Sequence, residues 1–207
     1  MLKISIKEHN LAFETAPSLF SPNQIDKGTL TMLERIAFAP EDKVLDLGCG
    51  YGVVGIVAAK HTAPANVFMS DIDKTALKFA AKNAAYNGTE GITIIHSNAY
   101  EGINETGFTI IASNPPYHAD FSVPKTFIEK GFNRLALGGK FYMVTKRKDW
   151  YKNKFIAIFG GVHIHEADGY FVFEAQKRSQ KYGKKILTDK TNKRTEKSCP
   201  RNNPQSN

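Results

Sequence analysis

The chain opens with alternating apolar and polar residues. Leu2-Lys3-Ile4-Ser5-Ile6-Lys7 reads as a strand, and residues 11–14 predict a second one across a turn at Asn10, making a small hairpin. Leu30, Leu33 and Ala37 then fall at i, i+3 and i+7, which predicts a helix from about Asp26 to Phe38, closed by Pro40. Beyond Lys43 the rhythm changes. Short continuous apolar runs at 44–47, 66–71, 92–96, 108–112 and 140–145 read as strands. Helix patterns lie between them. One carries Val53, Ile56, Val57 and Lys60, and the next Leu77, Ala80 or Ala81, and Ala84, stopping at Asn87-Gly88. A third spans 122–135 with Ile128, Phe132 and Leu135, and Gly138-Gly139 leads from it into the strand at 140–145. A last helix holds Tyr151, Phe155, Ile158 and Phe159 and ends at Gly160-Gly161, before strands at about 162–167 and 170–176. Strands alternating with helices predict an α/β sheet with ligands outside the carboxyl ends of the strands.

The stretch Lys43-Val44-Leu45-Asp46-Leu47-Gly48-Cys49-Gly50-Tyr51-Gly52-Val53-Val54-Gly55 is a strand, a glycine loop and a helix start. Such a loop is expected to offer free backbone N–H groups to a ligand. Gly50 to Gly55 matches the dinucleotide pattern G-x-G-x-x-G, with Asp71 about 20 residues on. Asp46, however, sits two residues before Gly48. A carboxylate there repels a pyrophosphate and suits a ligand carrying an ammonium and a sulfonium, which favours S-adenosylmethionine (SAM) over NAD.

Each later strand end adds a polar group. Asp71 is placed to accept two hydrogen bonds from a ribose diol, while Asp73 reads as the cap of the next helix. Ser97-Asn98-Ala99 ends the third strand, beside the expected adenine, and His96 reads as a partly buried strand residue. The fourth strand leads to Ser113-Asn114-Pro115-Pro116-Tyr117-His118. Two prolines stiffen that loop, so the Asn114 side-chain oxygen and the Pro115 carbonyl are held close together. Two such acceptors can take both N–H bonds of a planar amino group and free its lone pair to attack a methyl sulfonium. Tyr117 offers a ring face to the substrate. Phe20, Asp26 and Gly28 divide evenly between ligand contact and ordinary capping and core.

With these residues in place the chain resembles the class I SAM-dependent methyltransferases. The likeness rests on Asp46-Leu47-Gly48-Cys49-Gly50-Tyr51-Gly52, Asp71-Ile72-Asp73, Ser97-Asn98 and Asn114-Pro115-Pro116-Tyr117. Phe20-Ser21 and Asp26-Lys27-Gly28 direct it to the small methyltransferase domain set, which includes bacterial enzymes acting on the exocyclic N2 of a guanine in small-subunit (16S) rRNA. The resemblance implies a Rossmann-like sandwich with a seven-stranded, mostly parallel sheet, order 3-2-1-4-5-7-6 and strand 7 antiparallel. It implies SAM held by Asp46, Gly48, Cys49, Gly50, Gly52, Asp71, Ile72, Asn98, Ala99 and Asn114. The reacting amine is expected at Asn114, Pro115, Pro116 and Tyr117, and RNA at Tyr117, Lys146, Arg147 and Lys148. N6-adenine methylation of tRNA or DNA and methylation of a protein glutamine use the same chemistry and stay open. So does a catalytically silent RNA-binding module.

Composition narrows the setting. The chain has 207 residues and a formal charge of +8. Residues 178–207 hold nine basic and two acidic residues without apolar periodicity, so they read as a disordered basic tail on a domain spanning 1–177 whose first 25 residues are lead-in and hairpin. The folded body is left near +1, and RNA is the partner the tail suggests. Cys49 and Cys199 lie far apart and give neither a disulfide framework nor a metal spacing. No run approaches a membrane span and the first residues lack a signal-peptide core. A cytoplasmic protein without metal or membrane is expected; oligomeric state is left undetermined.

Overall fold

The computed structural model describes residues 1–116 and 120–183. A seven-stranded sheet forms the body, in the order β5-β4-β3-β6-β7-β9-β8. These strands are β3 Val44–Leu47, β4 Val67–Asp71, β5 Thr93–His96, β6 Phe108–Ser113, β7 Leu135–Thr145, β8 His163–Ala167 and β9 Tyr170–Gln176. Numbered from β3, the order is 3-2-1-4-5-7-6. Strand β9 alone runs against its neighbours, β7 and β8. This is the predicted Rossmann-like topology.

The continuous apolar runs are explained by burial on both faces. Along β7, Tyr142 and Val144 join the core under helices α1 (Lys27–Arg35), α2 (Val53–Ala59) and α3 (Lys74–Tyr86), together with Met32, Ile56 and Ala80. Phe141 and Met143 point the other way, into an aromatic core with Phe132 of α4 (Ser122–Arg134) and Phe155 of α5 (Asp149–Phe159). Alternate residues of one strand thus serve two separate cores. Among the described residues no helix is long and apolar enough to cross a membrane, and no cluster of side chains is able to hold a metal.

Strands β1 (Leu2–Ile6) and β2 (His9–Phe13) form the predicted hairpin. Its turn is at Lys7-Glu8, not Asn10, which pairs with Ser5 inside the ladder. Lys7 and Glu8 have φ of 46° and 70°. A two-residue loop needs left-handed backbone at both positions to match the strand twist, here without the usual Asn-Gly. The open edge of β2 is satisfied by the side chains of Asn83, in α3, and Asn87, its C-cap. Asn87 exchanges hydrogen bonds with Ala12 N and O at 3.0 and 2.8 Å, and Asn83 does the same with Glu14 at 2.7 and 2.9 Å. Two asparagines four positions apart, the second capping the helix, therefore stand in for a third strand.

Two further boundaries differ from expectation. Helix α1 stops at Arg35, leaving Ala37 exposed outside it. Gly138-Gly139 lies within β7, where the register against β6 slips from Phe108↔Leu135 to Ile110↔Lys140. A Cβ on Gly139 would come within 2.7 Å of the Phe108 carbonyl oxygen, so the strand closes there only around glycine. Residues 178–183 fold back on α4 and α5. Tyr182 packs edge-on against Phe132 and receives a hydrogen bond from Asn133 at 3.2 Å, and Gly183 N–H donates to Ile158 O at 2.9 Å. The rest of the sequence-assigned tail, 184–207, lies outside the described residues.

Candidate active site

A cavity of about 360 Å³ opens at the carboxyl ends of β3, β4, β5 and β6. Its floor is the glycine loop after β3. Gly48 and Cys49 both donate their N–H to Ser70 O, at 2.8 and 2.9 Å, and Gly50 N–H donates to Asp71 Oδ2 at 2.8 Å. These donors are engaged inside the protein. That overturns the expectation of free loop amides at Gly48, Cys49 and Gly50. Of the glycines, Gly48 and Gly50 line the cavity and Gly52 does not. Gly52 caps α2 with φ 94°, and a Cβ there would press on Met69 Sδ at 3.1 Å, so its role is to turn the chain.

Four aspartates line the cavity, Asp26, Asp46, Asp71 and Asp73, and no lysine, arginine or histidine is among the lining residues described. Asp46 is 2% exposed, and its Oδ2 accepts from Gly55 N–H at 2.9 Å. Burial pushes its carboxyl up to about 7, opposed by the Gly55 N–H and reinforced by the charge of Asp71. A cation in the cavity would relieve that cost. Burial and the same two aspartates also hold the Cys49 thiol well above its usual range, which makes it a packing residue facing the ligand space rather than a nucleophile.

Asp71 ends β4, holding Gly50 N–H with one oxygen and Asp73 N–H with the other, at 2.9 Å. Asp73 caps α3 through Thr75 N–H at 2.7 Å, as expected. Ile72 is 63% exposed at the cavity rim. Its carbonyl accepts from Nε2 of His96, at 3.0 Å, so His96 is an exposed edge residue that steadies this rim. Asn98 and Ala99 also line the cavity, with Asn98 Nδ2 donating to Glu101 at 3.3 Å and Ala99 at φ 51°.

The proline loop enters from β6, whose last residue, Ser113, donates from Oγ to Leu47 O at 2.8 Å and so ties it to the end of β3. Asn114 Nδ2 donates to Asp26 Oδ2 at 2.8 Å and to Thr29 Oγ1 at 2.9 Å. A carboxylate only accepts, so the amide orientation is fixed. Asn114 Oδ1 is buried without a partner, and so is Ser70 Oγ, on the same cavity. An orphaned buried polar atom calls for a partner such as a water or a ligand, and at these two residues the cavity has room for one. Pro115 is buried and Pro116 exposed, both lining the cavity, whereas Tyr117 lies outside the described residues.

Lys146, Arg147 and Lys148 follow β7 at the same end of the sheet but do not line the cavity. Of the undecided residues, Phe20 and Asp26 line it, and Gly28 is a packing glycine where a Cβ would meet the Tyr170 ring at 2.7 Å. Sequence reasoning missed Thr29, Tyr51, Ser70, Val123 and Phe127. Only Val123 and Phe127 carried a signal, their i, i+4 spacing on α4. Thr29 and Ser70 look like ordinary helix and strand positions until the fold brings them together.

The fold and this cavity define a class: residues 10–174 match the methyltransferase small domain, and the chain belongs to that family. It is 33% identical over 177 residues to the ribosomal RNA small subunit methyltransferase C of Serratia proteamaculans, covering 83% of this chain and 50% of that protein. The protein of the same name from Psychromonas ingrahamii is 30% identical over 172 residues, covering 81% and 49%. The chain thus spans about half the length of these curated relatives. Among solved structures it is similar to the Thermus thermophilus 16S rRNA N2-guanosine methyltransferase RsmC, in complex with AdoMet and guanosine. That match has a TM-score of 0.77 and 27% identity and covers 86% of this chain and 50% of the other. A methyltransferase from Pyrococcus furiosus shares the fold, with a TM-score of 0.65 at 16% identity over 81% of this chain and 89% of its own.

Proposed function

We propose that the chain transfers a methyl group from SAM to the exocyclic N2 of a guanine in 16S rRNA, as a cytoplasmic enzyme. The observation that carries this is the Asn114 amide at the cavity, locked by Asp26 and Thr29 through its nitrogen so that its oxygen is left without a partner. Such a site accepts from an amino group and rejects a carbonyl. The similar Thermus thermophilus enzyme bound to AdoMet and guanosine, and the names of the curated relatives, favour guanine as the amine and rRNA as its carrier.

In this reading SAM supplies an electrophilic methyl on a sulfonium. Asp46 would balance the cationic end of the cofactor from within the sheet, and Asp71 would take the ribose diol with its remaining lone pairs. Ile72, Asn98 and Ala99, which line the cavity, would hold the adenine side. Asn114 Oδ1 and the Pro115 carbonyl accept from the target amine and turn its lone pair toward the methyl. As the N–CH3 bond formed, the S–CH3 bond would break and leave a neutral thioether; the acidic proton of the methylated nitrogen would then pass to water, so no strong base is required. Tyr117 stacks the base, which must leave any duplex to enter the cavity. Lys146, Arg147 and Lys148 hold phosphates outside it.

The test is transfer of labelled methyl from SAM to RNA and protein from cells lacking this chain, with N114A as control. N2-methylguanosine in the small-subunit fraction is the expected product. N6-methyladenosine would keep the mechanism and change the target. Label confined to protein, or SAM binding with no transfer to any fraction, would overturn the proposal.

A further inference from the structure

Three consecutive basic residues leave the carboxyl end of β7, and each lies over an aromatic ring. Lys146 Nζ is 5.0 Å from the Tyr170 ring centroid, Arg147 Cζ is 5.1 Å from that of Phe121, and Lys148 Nζ is 5.1 Å from that of Phe171. All three cations are exposed. Phe121 in turn stacks on Trp150, with centroids 4.5 Å apart and planes inclined by 27°. Both rings are only half-buried, at the N-terminal ends of α4 and α5. Lys148 is also paired with Glu166 at 3.3 Å, which leaves Arg147 as the cation most closely tied to the ring stack.

This surface adjoins the cavity on two sides. The helix that Phe121 caps carries Val123 and Phe127 into the cavity wall. Tyr170, beneath Lys146, reaches Asp26 Oδ1 with its hydroxyl at 3.5 Å, and Asp26 holds Asn114. The ring stack therefore shares α4 with the cavity wall, and Lys146 lies over a ring bonded to the carboxylate that holds Asn114.

We propose that the Arg147–Phe121–Trp150 stack binds the single-stranded RNA flanking the reacting base. Stacked aromatic faces beside exposed cations match an unpaired strand, which offers both bare base faces and phosphates. A duplex hides its base faces, and an acidic peptide has no planar system to lay on the rings. The cations are already placed over the rings, so the surface needs little ordering before RNA arrives. The inference rests on the RNA reading above, and it extends the expected substrate contacts to two aromatic side chains outside the cavity.

The only tryptophan of the 207 residues is Trp150, so its fluorescence reports on this surface alone. The full chain is titrated with an unstructured mixed-sequence RNA 12-mer, with the same strand as a duplex and with polyglutamate, alongside filter binding. Saturable quenching by the single strand is expected, weakening as salt rises. F121A and R147Q should each raise the dissociation constant read by fluorescence about tenfold, while SAM binding measured by calorimetry stays within about twofold. Arg147 is exposed, so R147Q decides the question even if F121A does not fold. RNA retained on filters without a change in fluorescence would assign binding to another part of the chain and overturn the proposal. Equal quenching by duplex or by polyglutamate would overturn it as well. The labelled-methyl assay is read independently, on nucleosides and protein, so loss of the RNA substrate and loss of this surface give separate results.

Discussion

Asp26 Oδ2 accepts a hydrogen bond from Asn114 Nδ2 at 2.8 Å, across 88 positions of sequence. The same oxygen accepts from Thr29 N–H at 2.9 Å as the cap of α1. One carboxylate thus fixes both the helix in front of the sheet and the Asn114 amide at the cavity. Asparagine caps a helix about as well as aspartate, so Asp26→Asn removes the charge and keeps the cap. A charge-assisted hydrogen bond contributes about 1.5–3 kcal/mol, and each 1.36 kcal/mol is tenfold in rate. Turnover of D26N should fall roughly 10- to 100-fold, with melting temperature and SAM affinity little changed. Asn114→Ala should remove turnover altogether while SAM still binds. Equal turnover in D26N and wild type would show that the amide needs no anchor.

Cofactor binding should depend on pH through Asp46. Its carboxyl is raised to about 7 in the unliganded chain. Below that value it is neutral, and above it the charge is present to meet a cationic ligand. SAM affinity should therefore rise from pH 6 to pH 8, by no more than about tenfold per unit. Asp46→Asn should bind weakly, without the slope, when titrated by calorimetry. The same raised value has the opposite sign for the unliganded fold. The native state keeps this proton longer than the unfolded chain does, so stability is lost as pH rises from the ordinary carboxylate range through 7. Saturating SAM should offset that loss, giving a larger shift in melting temperature at pH 8 than at pH 6.

Gly131 is buried inside α4 where the Phe141 ring and the Tyr100 hydroxyl close over it. A Cβ would fall inside the Phe141 ring's contact distance and 2.6 Å from Tyr100 Oη. Gly131→Ala gains helix propensity but overpacks the aromatic core, at a cost of about 1–3 kcal/mol. A drop in melting temperature of roughly 2–10 °C is expected. Any gain in stability would mean that the two rings shift freely.

Asn83 is fully buried and bonds Glu14 N, Glu14 O and Tyr51 O. It couples the hairpin to the glycine loop. Asn83→Ala leaves those backbone groups without partners, at about 1–3 kcal/mol for each buried group left unsatisfied. Hydrogen exchange should show lost protection at Glu14 and in the glycine loop together. Loss at Glu14 alone would mean that the hairpin and the loop are independent.

Much of the fold is legible along the chain. Each of the seven sheet strands begins or ends within a few residues of an apolar run, and the helix ends at Asn87-Gly88 and Gly160 are local signals that the structure obeys. The hairpin turn was hidden because Lys7-Glu8 has none of the composition such a backbone usually needs. Gly138-Gly139 was hidden because a pair that looks like a turn also permits a bulge inside a strand. Helix α1 is shorter than the periodicity predicts because Ala37 fits the helical period yet is exposed, so its burial does not hold the helix there.

By itself the sequence determined the βα alternation, the acid at the first strand and the presence of a proline loop at the fourth, since these depend on neighbours a few residues apart. Tertiary structure decided what those groups face. Ser70 and Asp71 take the amides of Gly48, Cys49 and Gly50, which ends any phosphate role for them. Burial in the middle of the sheet, not the aspartate itself, brings the Asp46 carboxyl close to neutrality. Asp26 and Thr29 turn the Asn114 amide so that its oxygen is the group left for a ligand. Each of these outcomes depends on atoms brought within about 3 Å from distant parts of the chain, and local sequence patterns carry no record of such contacts.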